Sequence, residues 1–183
     1  MVYKILVTGV GICGKTTFAR RLSESLKVRG FIIQNSDLDY DTNLSVNITQ
    51  GFYILQTPHG KDSREIDKVN ISNFNRVFYL QINPQTYQIL LDARANAWFR
   101  EGLIDGKNDI EPRTLMHRER LNEVIDGYAE RRNKLFSDDK IYFERNSLVR
   151  FVDVELINNE LFYRDYDHLL EEIVMEAHGE INL

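Results

Sequence analysis

The sequence predicts an α/β domain organised around a parallel sheet, and three observations predict it. Short branched apolar runs recur along the chain, amphipathic segments of helix length separate them, and a glycine-rich turn joins the first run to the first such segment. Parallel strands need long crossovers, and these segments are long enough to supply them. The 183 residues suit one domain spanning 1–183, with no internal repeat, low-complexity tract or linker. A hydrophobic fraction of 43% supplies a core and excludes a disordered resting state. Against 28 Asp and Glu the chain carries 23 Lys and Arg, a formal charge of −5. No overall basic field exists to hold nucleic acid or an anionic membrane, so any anion must be met by a local site. One cysteine excludes an internal disulfide. No run approaches the roughly 18 apolar residues of a membrane span, and the first residues, MVYKILVTGV, lack a secretory pattern, so a cytoplasmic location is expected.

The elements follow in order. Ile5-Leu6-Val7, within Tyr3 to Thr8, reads as a strand buried on both faces and ended by Gly9. From Lys15 to Arg29, Phe18, Ala19, Leu22 and Leu26 fall on one helical stripe; Arg20, Arg21, Glu24 and Lys27 face away, and Gly30 is placed to end the helix. Further strands are predicted at Phe31-Ile32-Ile33, at Tyr53-Ile54-Leu55 before Pro58, and at Val77-Phe78-Tyr79-Leu80 before Pro84. Tyr87, Leu90, Leu91, Ala95 and Trp98 then recur at helical spacing up to Gly102. Glu101 to Glu111 carries two glycines and several charges, which suits a mobile loop. Pro112 opens a long helix in which Leu121, Val124, Ile125, Tyr128, Leu135 and Phe136 continue one face towards Ser137. A last strand around Leu148 to Val154 precedes a helix burying Leu169, Leu170, Ile173, Val174 and Ala177 and ending at Gly179. Asp153 is read as part of a turn.

The most specific feature is Gly9-Val10-Gly11-Ile12-Cys13-Gly14-Lys15-Thr16, which fits G-x-x-x-x-G-K-[ST] between a predicted strand and a predicted helix. Glycines at both ends let the backbone turn its N–H groups inward as an anion nest, and the helix adds the positive end of its dipole. Lys15 can reach the terminal phosphates of a nucleotide, and the Thr16 hydroxyl can ligate a bridging Mg²⁺. Gly9, Gly11, Ile12, Cys13, Gly14, Lys15, Thr16 and Thr17 are therefore the nucleotide-binding candidates. Cys13 has no histidine near it in sequence to act as a base, and it is read as a loop residue rather than a nucleophile.

The first forty residues, GVGICGKTTFARRLSESLKVRGF and then SDLDYD, resemble the phosphate-loop kinases of small molecules, in particular the uridine kinase, dephospho-coenzyme A kinase and adenylylsulfate kinase branches. The rest of the chain is similar only in the order of its elements. The resemblance implies a three-layer P-loop NTPase fold, with a five-stranded parallel sheet of order 2-3-1-4-5, helices on both faces and a helical lid around 94–120. It also implies ATP and Mg²⁺ as cofactors and a small-molecule acceptor, a nucleoside, nucleotide or related metabolite, beside Asp37. Asp37-Leu38-Asp39-Tyr40 reproduces the Asp-x-x-Tyr spacing of uridine-kinase-like members.

A carboxylate at the C-terminal edge of a parallel sheet can accept a hydroxyl proton or hold Mg²⁺ through water, so Asp37 is the candidate catalytic and metal residue. Asp39 and Asp41 compete for that role, and a helix cap or a solvated acidic turn is the plainer reading. Asp39, Tyr40 and His59 are the candidate acceptor contacts, against an exposed loop histidine as the alternative for the last. The resemblance also implies that arginines in and before the lid clamp phosphates, and Arg94 and Arg100 are chosen for this from a set that includes Arg113, Arg118 and Arg120, against a solvated surface. The third strand of the uridine-kinase-like pattern ends in Glu-Gly; here Gln56-Thr57-Pro58-His59-Gly60 stands there without a carboxylate. A GTPase switch is excluded, since no glycine has Asp three residues before it and Asn133-Lys134 runs into Leu135-Phe136. A nucleotide-binding regulator of weak or no activity, acting through a protein partner, stays as the alternative to a kinase. The sequence assigns no oligomeric state.

Overall fold

The structure, a computed structural model, describes residues 1–37, 45–57, 71–101, 126–127, 130, 133–134 and 137–179. Its elements are β1 (Val2–Gly9), α1 (Lys15–Val28), β2 (Ile33–Asp37), β3 (Gly51–Gln56), β4 (Arg76–Ile82), α2 (Pro84–Glu101), β5 (Val149–Ile157), β6 (Glu160–Tyr163) and α3 (Tyr166–His178). The sheet order is β2-β3-β1-β4-β5-β6. β1 lies parallel between β3 and β4, β2 pairs parallel with β3, and β5 pairs parallel with β4. Only β6 is antiparallel, against β5. The expected five-stranded, wholly parallel sheet is thus corrected to a six-stranded mixed one. Asn158 and Asn159 both take left-handed φ values, 52° and 65°, the geometry of a two-residue turn that closes a tight hairpin. The chain therefore returns along β5 before it enters α3.

Ile5, Leu6 and Val7 are fully buried, as their branched run implies for a central strand. One face of the sheet packs Ile5, Val7, Phe52, Ile54, Phe78, Leu80, Val152 and Val154 against Phe18, Ala19, Leu22 and Leu26 of α1 and Tyr166, Leu170 and Ile173 of α3. The other face gathers Leu6, Tyr53, Leu55, Val77 and Tyr79 with Phe143, which belongs to the helical residues 137–143. Helices on two faces make three layers. Each aliphatic side chain so buried contributes about 1.5–3 kcal/mol.

The helix ends follow their sequence signals. Gly30 takes φ 87°, and its N–H and that of Phe31 bond back to Lys27 and Leu26. Asn83 caps α2 by accepting the Thr86 N–H at 2.8 Å, with Pro84 as the first helical residue. Gly179, φ 75°, closes α3. Tyr87, Leu91 and Ala95 are buried as the α2 stripe requires.

Three expectations shift. The second strand begins at Ile33 and runs to Asp37, so Phe31 and Ile32 lie outside it, and Ile32 is exposed. β2 is an edge strand whose polar residues are held by side-chain bonds: Ser23 Oγ donates to Asn35 Oδ1, and Gln34 exchanges two bonds with Ser45 and Asn47. Hydropathy alone therefore does not mark it. Asp153 stands inside β5 rather than in a turn, accepting from Gln81 and pairing with Arg164 at 3.1 Å. Glu101 belongs to α2, and the described residues among 126–134 are helical, as are 137–143, carrying helical structure past Ser137. The remainder of the lid segment, 102–120, lies outside the described residues.

At the N-terminal edge of the sheet, Arg76 is almost fully buried and pairs with Glu176 of α3, which also accepts from the Tyr3 hydroxyl. Among the described residues no helix is long and apolar enough to cross a membrane.

Candidate functional site

The loop between β1 and α1 follows from three backbone conformations. Gly9 has φ 139°, Ile12 64° and Gly14 87°. A Cβ on Gly9 would stand 2.6 Å from the Leu80 carbonyl oxygen of β4, so the close approach of the loop to its neighbouring strand requires glycine. A Cβ on Gly14 would meet Leu161 Cδ1 at 2.7 Å and the Tyr163 oxygen at 3.1 Å. Ile12 is a β-branched residue held in the left-handed region, which costs about 1–2 kcal/mol and places strain inside the loop. Val10 and Cys13 anchor the loop in the core at 1% and 0% exposure.

Lys15 opens α1 and turns back over the loop, its ammonium donating to the carbonyls of Gly9 at 3.0 Å and Val10 at 2.8 Å. The first helical bond runs from the Phe18 N–H to Gly14 O. The first turn of α1 holds no acidic residue, so neither the dipole nor the ammonium is opposed there. Thr16 is an exposed residue in that turn. Burial pushes the Cys13 thiol up, outweighing the nearby Lys15 charge, so the sulfur stays protonated and packs as an apolar group. That agrees with its reading as a loop residue.

One contributor was not singled out from sequence. Tyr163, on β6, donates from its hydroxyl to Gly14 O at 3.0 Å and packs its ring edge-on against Phe18 at 5.0 Å. Burial raises its phenol, and a hydrogen bond with the Thr17 side chain offsets part of that rise. The hairpin thus holds the junction of loop and helix from outside. Its sequence signal was the Asn158-Asn159 pair between two alternating runs.

Asp37 ends β2 at the C-terminal edge of the sheet, paired with Gln56 of β3, which pairs in turn with Val7 of β1. The structure therefore brings the loop, Asp37 and Gln56 to one edge. Beside them the Thr57 hydroxyl donates to that of Thr8 at 2.8 Å. Arg94 is exposed on α2. Asp39, Tyr40 and His59, with Arg113, Arg118 and Arg120, lie outside the described residues, as does the side chain of Arg100. Among the described residues no group of three or more His, Cys, Asp and Glu is placed to hold a metal.

No protein-family model matches the chain, and no curated protein matches it. Among solved structures, it is similar to the shikimate kinase of Bacteroides thetaiotaomicron, with 13% identity and a TM-score of 0.44 over 97% of this chain and 98% of that one. It is also similar to the protein named APE1195, with 13% identity and a TM-score of 0.38 over 69% of this chain and 94% of the other.

Proposed function

We propose that the protein is a P-loop kinase that transfers the γ-phosphoryl group of ATP to a small-molecule acceptor. The observation that carries the reading is the loop itself: a glycine-rich turn with positive φ at Gly9, Ile12 and Gly14 between a buried strand and a helix, with Lys15 folded over its carbonyls and Thr16 exposed in the first helical turn. Phosphate oxygens at the nest take over the Lys15 ammonium from Gly9 and Val10. Thr16, an exposed residue in the first turn of the helix, fits a Mg²⁺ ion, which its hydroxyl would ligate, with Asp37 at the same edge to hold its water. Bound there, the ion neutralises charge on the phosphates.

The work of the chain is positioning. The loop N–H groups and Lys15 fix the donor phosphates, while Asp37 accepts the proton of the acceptor hydroxyl as its oxygen bonds to the γ-phosphorus and ADP departs. Arg94 and Arg100 are the proposed clamps on the transferring group, and Asp39, Tyr40 and His59 the proposed acceptor contacts. A second reading, a nucleotide-binding regulator, is favoured by one observation: the residue ending β3 is Gln56, an amide instead of a carboxylate.

Phosphate transfer from labelled ATP to a panel of nucleosides, nucleotides, sugars and sugar alcohols separates the two. On the kinase reading, Asp37→Asn leaves ATP affinity within about twofold and lowers transfer by about a hundredfold or more, the scale of a positioned base. Full turnover in Asp37→Asn refutes the assignment, and wild type that binds MgATP yet labels nothing favours the regulator.

A further inference from the structure

Beside the glycine-rich loop the sheet edge holds a buried polar atom that no described residue satisfies. Gln56 is 8% exposed, and its Oε1 has no hydrogen-bond donor among the described residues. A buried acceptor in that condition forfeits the hydrogen bonds it makes to water in the unfolded chain, and native chains keep few of them. Among the described residues the other buried side-chain atoms left unpaired, Nε and Nη1 of Arg76, sit at the first residue of β4, at the opposite end of the sheet.

The register says what surrounds the oxygen. Paired residues on parallel strands face the same side, and Val7, the partner of Gln56 on β1, packs in the core on the α1 side. Gln56 and its other partner Asp37 therefore face that side together, on strands about 5 Å apart. An ionised carboxylate only accepts hydrogen bonds, and so does the amide oxygen. A ligand that bonds to both must supply donors, and Gln56 Oε1 is the atom that lacks one. The phosphates of a nucleotide cannot, because their oxygens accept as well.

The geometry points to an acceptor molecule with two neighbouring hydroxyls, a polyol: one hydroxyl faces Asp37 and receives the phosphoryl group, and the other donates to Gln56 Oε1. This deepens the kinase reading and rests on it. Gln56 is a specificity residue on this account, since a site built around a substrate hydroxyl leaves its own polar atom unpaired when that hydroxyl is missing.

The test compares wild type, Gln56→Met and Gln56→Glu on matched pairs of acceptors: ribose and 2-deoxyribose, glucose and 2-deoxyglucose, uridine and 2′-deoxyuridine. Transfer from labelled ATP is measured over a range of Mg²⁺. Wild type favours the hydroxylated member of the accepted pair by about tenfold to a hundredfold in kcat/KM. Gln56→Met, of similar length but without an acceptor, brings that ratio near one, and Gln56→Glu retains it. Gln56→Met also keeps or raises the melting temperature of the ligand-free protein, because an unsatisfied buried atom is removed.

An unchanged ratio in Gln56→Met overturns the proposal, and so does a lower melting temperature, which marks the amide as structural. A raised Mg²⁺ requirement with the ratio intact overturns it too, by assigning the donor to metal-bound water. If wild type binds MgATP but labels no acceptor, the kinase reading fails separately. The same pairs are then read by thermal shift with a non-hydrolysable ATP analogue: a rise specific to the hydroxylated member and lost in Gln56→Met supports the subsite, and no such rise overturns it.

Discussion

Gly9→Ala and Gly30→Ala place the same methyl group in two positive-φ positions with opposite surroundings. At Gly30, φ 87°, the added Cβ meets nothing within 4 Å, so the penalty is the left-handed backbone alone, about 1–2 kcal/mol. At Gly9, φ 139°, the backbone region is one that glycine alone occupies freely, costing about 1–3 kcal/mol. There the Cβ also lies 2.6 Å from the Leu80 carbonyl oxygen and 3.0 Å from Cys13 Sγ. The oxygen belongs to the strand paired with β1 and cannot rotate away, so β1 and β4 must part, at a cost typical of overpacking, about 1–3 kcal/mol more. Gly9→Ala therefore loses about 2–6 kcal/mol. A domain of this size drops about 2–4 °C for each kcal/mol, so its melting temperature falls by roughly 4–24 °C and that of Gly30→Ala, at about 1–2 kcal/mol, by roughly 2–8 °C. Urea unfolding measures both losses, and calorimetry measures MgATP affinity, which drops in Gly9→Ala and holds in Gly30→Ala. Losses equal within about 0.5 kcal/mol, or wild-type ATP affinity in Gly9→Ala, would refute the reasoning.

Lys15→Ala weakens MgATP binding by about a hundredfold or more, read by calorimetry, while its melting temperature moves by no more than a few degrees, because the ammonium is bonded to loop carbonyls and not packed in the core. Glu176→Gln leaves the Arg76 guanidinium buried without its counter-charge and destabilises by about 3–5 kcal/mol in urea unfolding; Arg76→Met with Glu176→Leu recovers most of that loss. Burial raises Cys13 above its ordinary 9.0 and Tyr163 above 10.0, so the folded state holds these protons more tightly than the unfolded chain. The stability they contribute is complete below about pH 9 and is lost as the pH rises from there, and Tyr163→Phe makes unfolding measured from about pH 8 to pH 10.5 less steep.

How much could be read before the fold was known depended on whether the signal was local. The glycine-rich loop was legible because its pattern lies in eight consecutive residues, and a strand before and a helix after are features of periodicity. Gly30 and Gly179 as helix ends, and the stripes of α1 and α3, were legible for the same reason. β2 was misplaced because an edge strand with polar residues is held by partners distant in sequence. Ser23 lies 12 positions from Asn35, and Asn47 lies 13 from Gln34.

By itself the sequence determined the α/β class and the glycine-rich loop between the first strand and the first helix, while the five-stranded, wholly parallel sheet that was expected is a six-stranded mixed one. Tertiary structure alone decided that β6 turns back along β5 to set Tyr163 on Gly14, 149 positions away. It alone decided that Arg76 and Glu176, 100 apart, meet inside the fold, and that Gln56 lies level with Asp37 while its oxygen goes without a donor. The physical reason is that periodicity and turn chemistry act over a few bonds, whereas burial and pairing depend on which strands lie side by side. A glutamine in the sequence is a polar residue like any other; sheet register brings this one to the edge beside the glycine-rich loop, where its oxygen has no donor among the described residues.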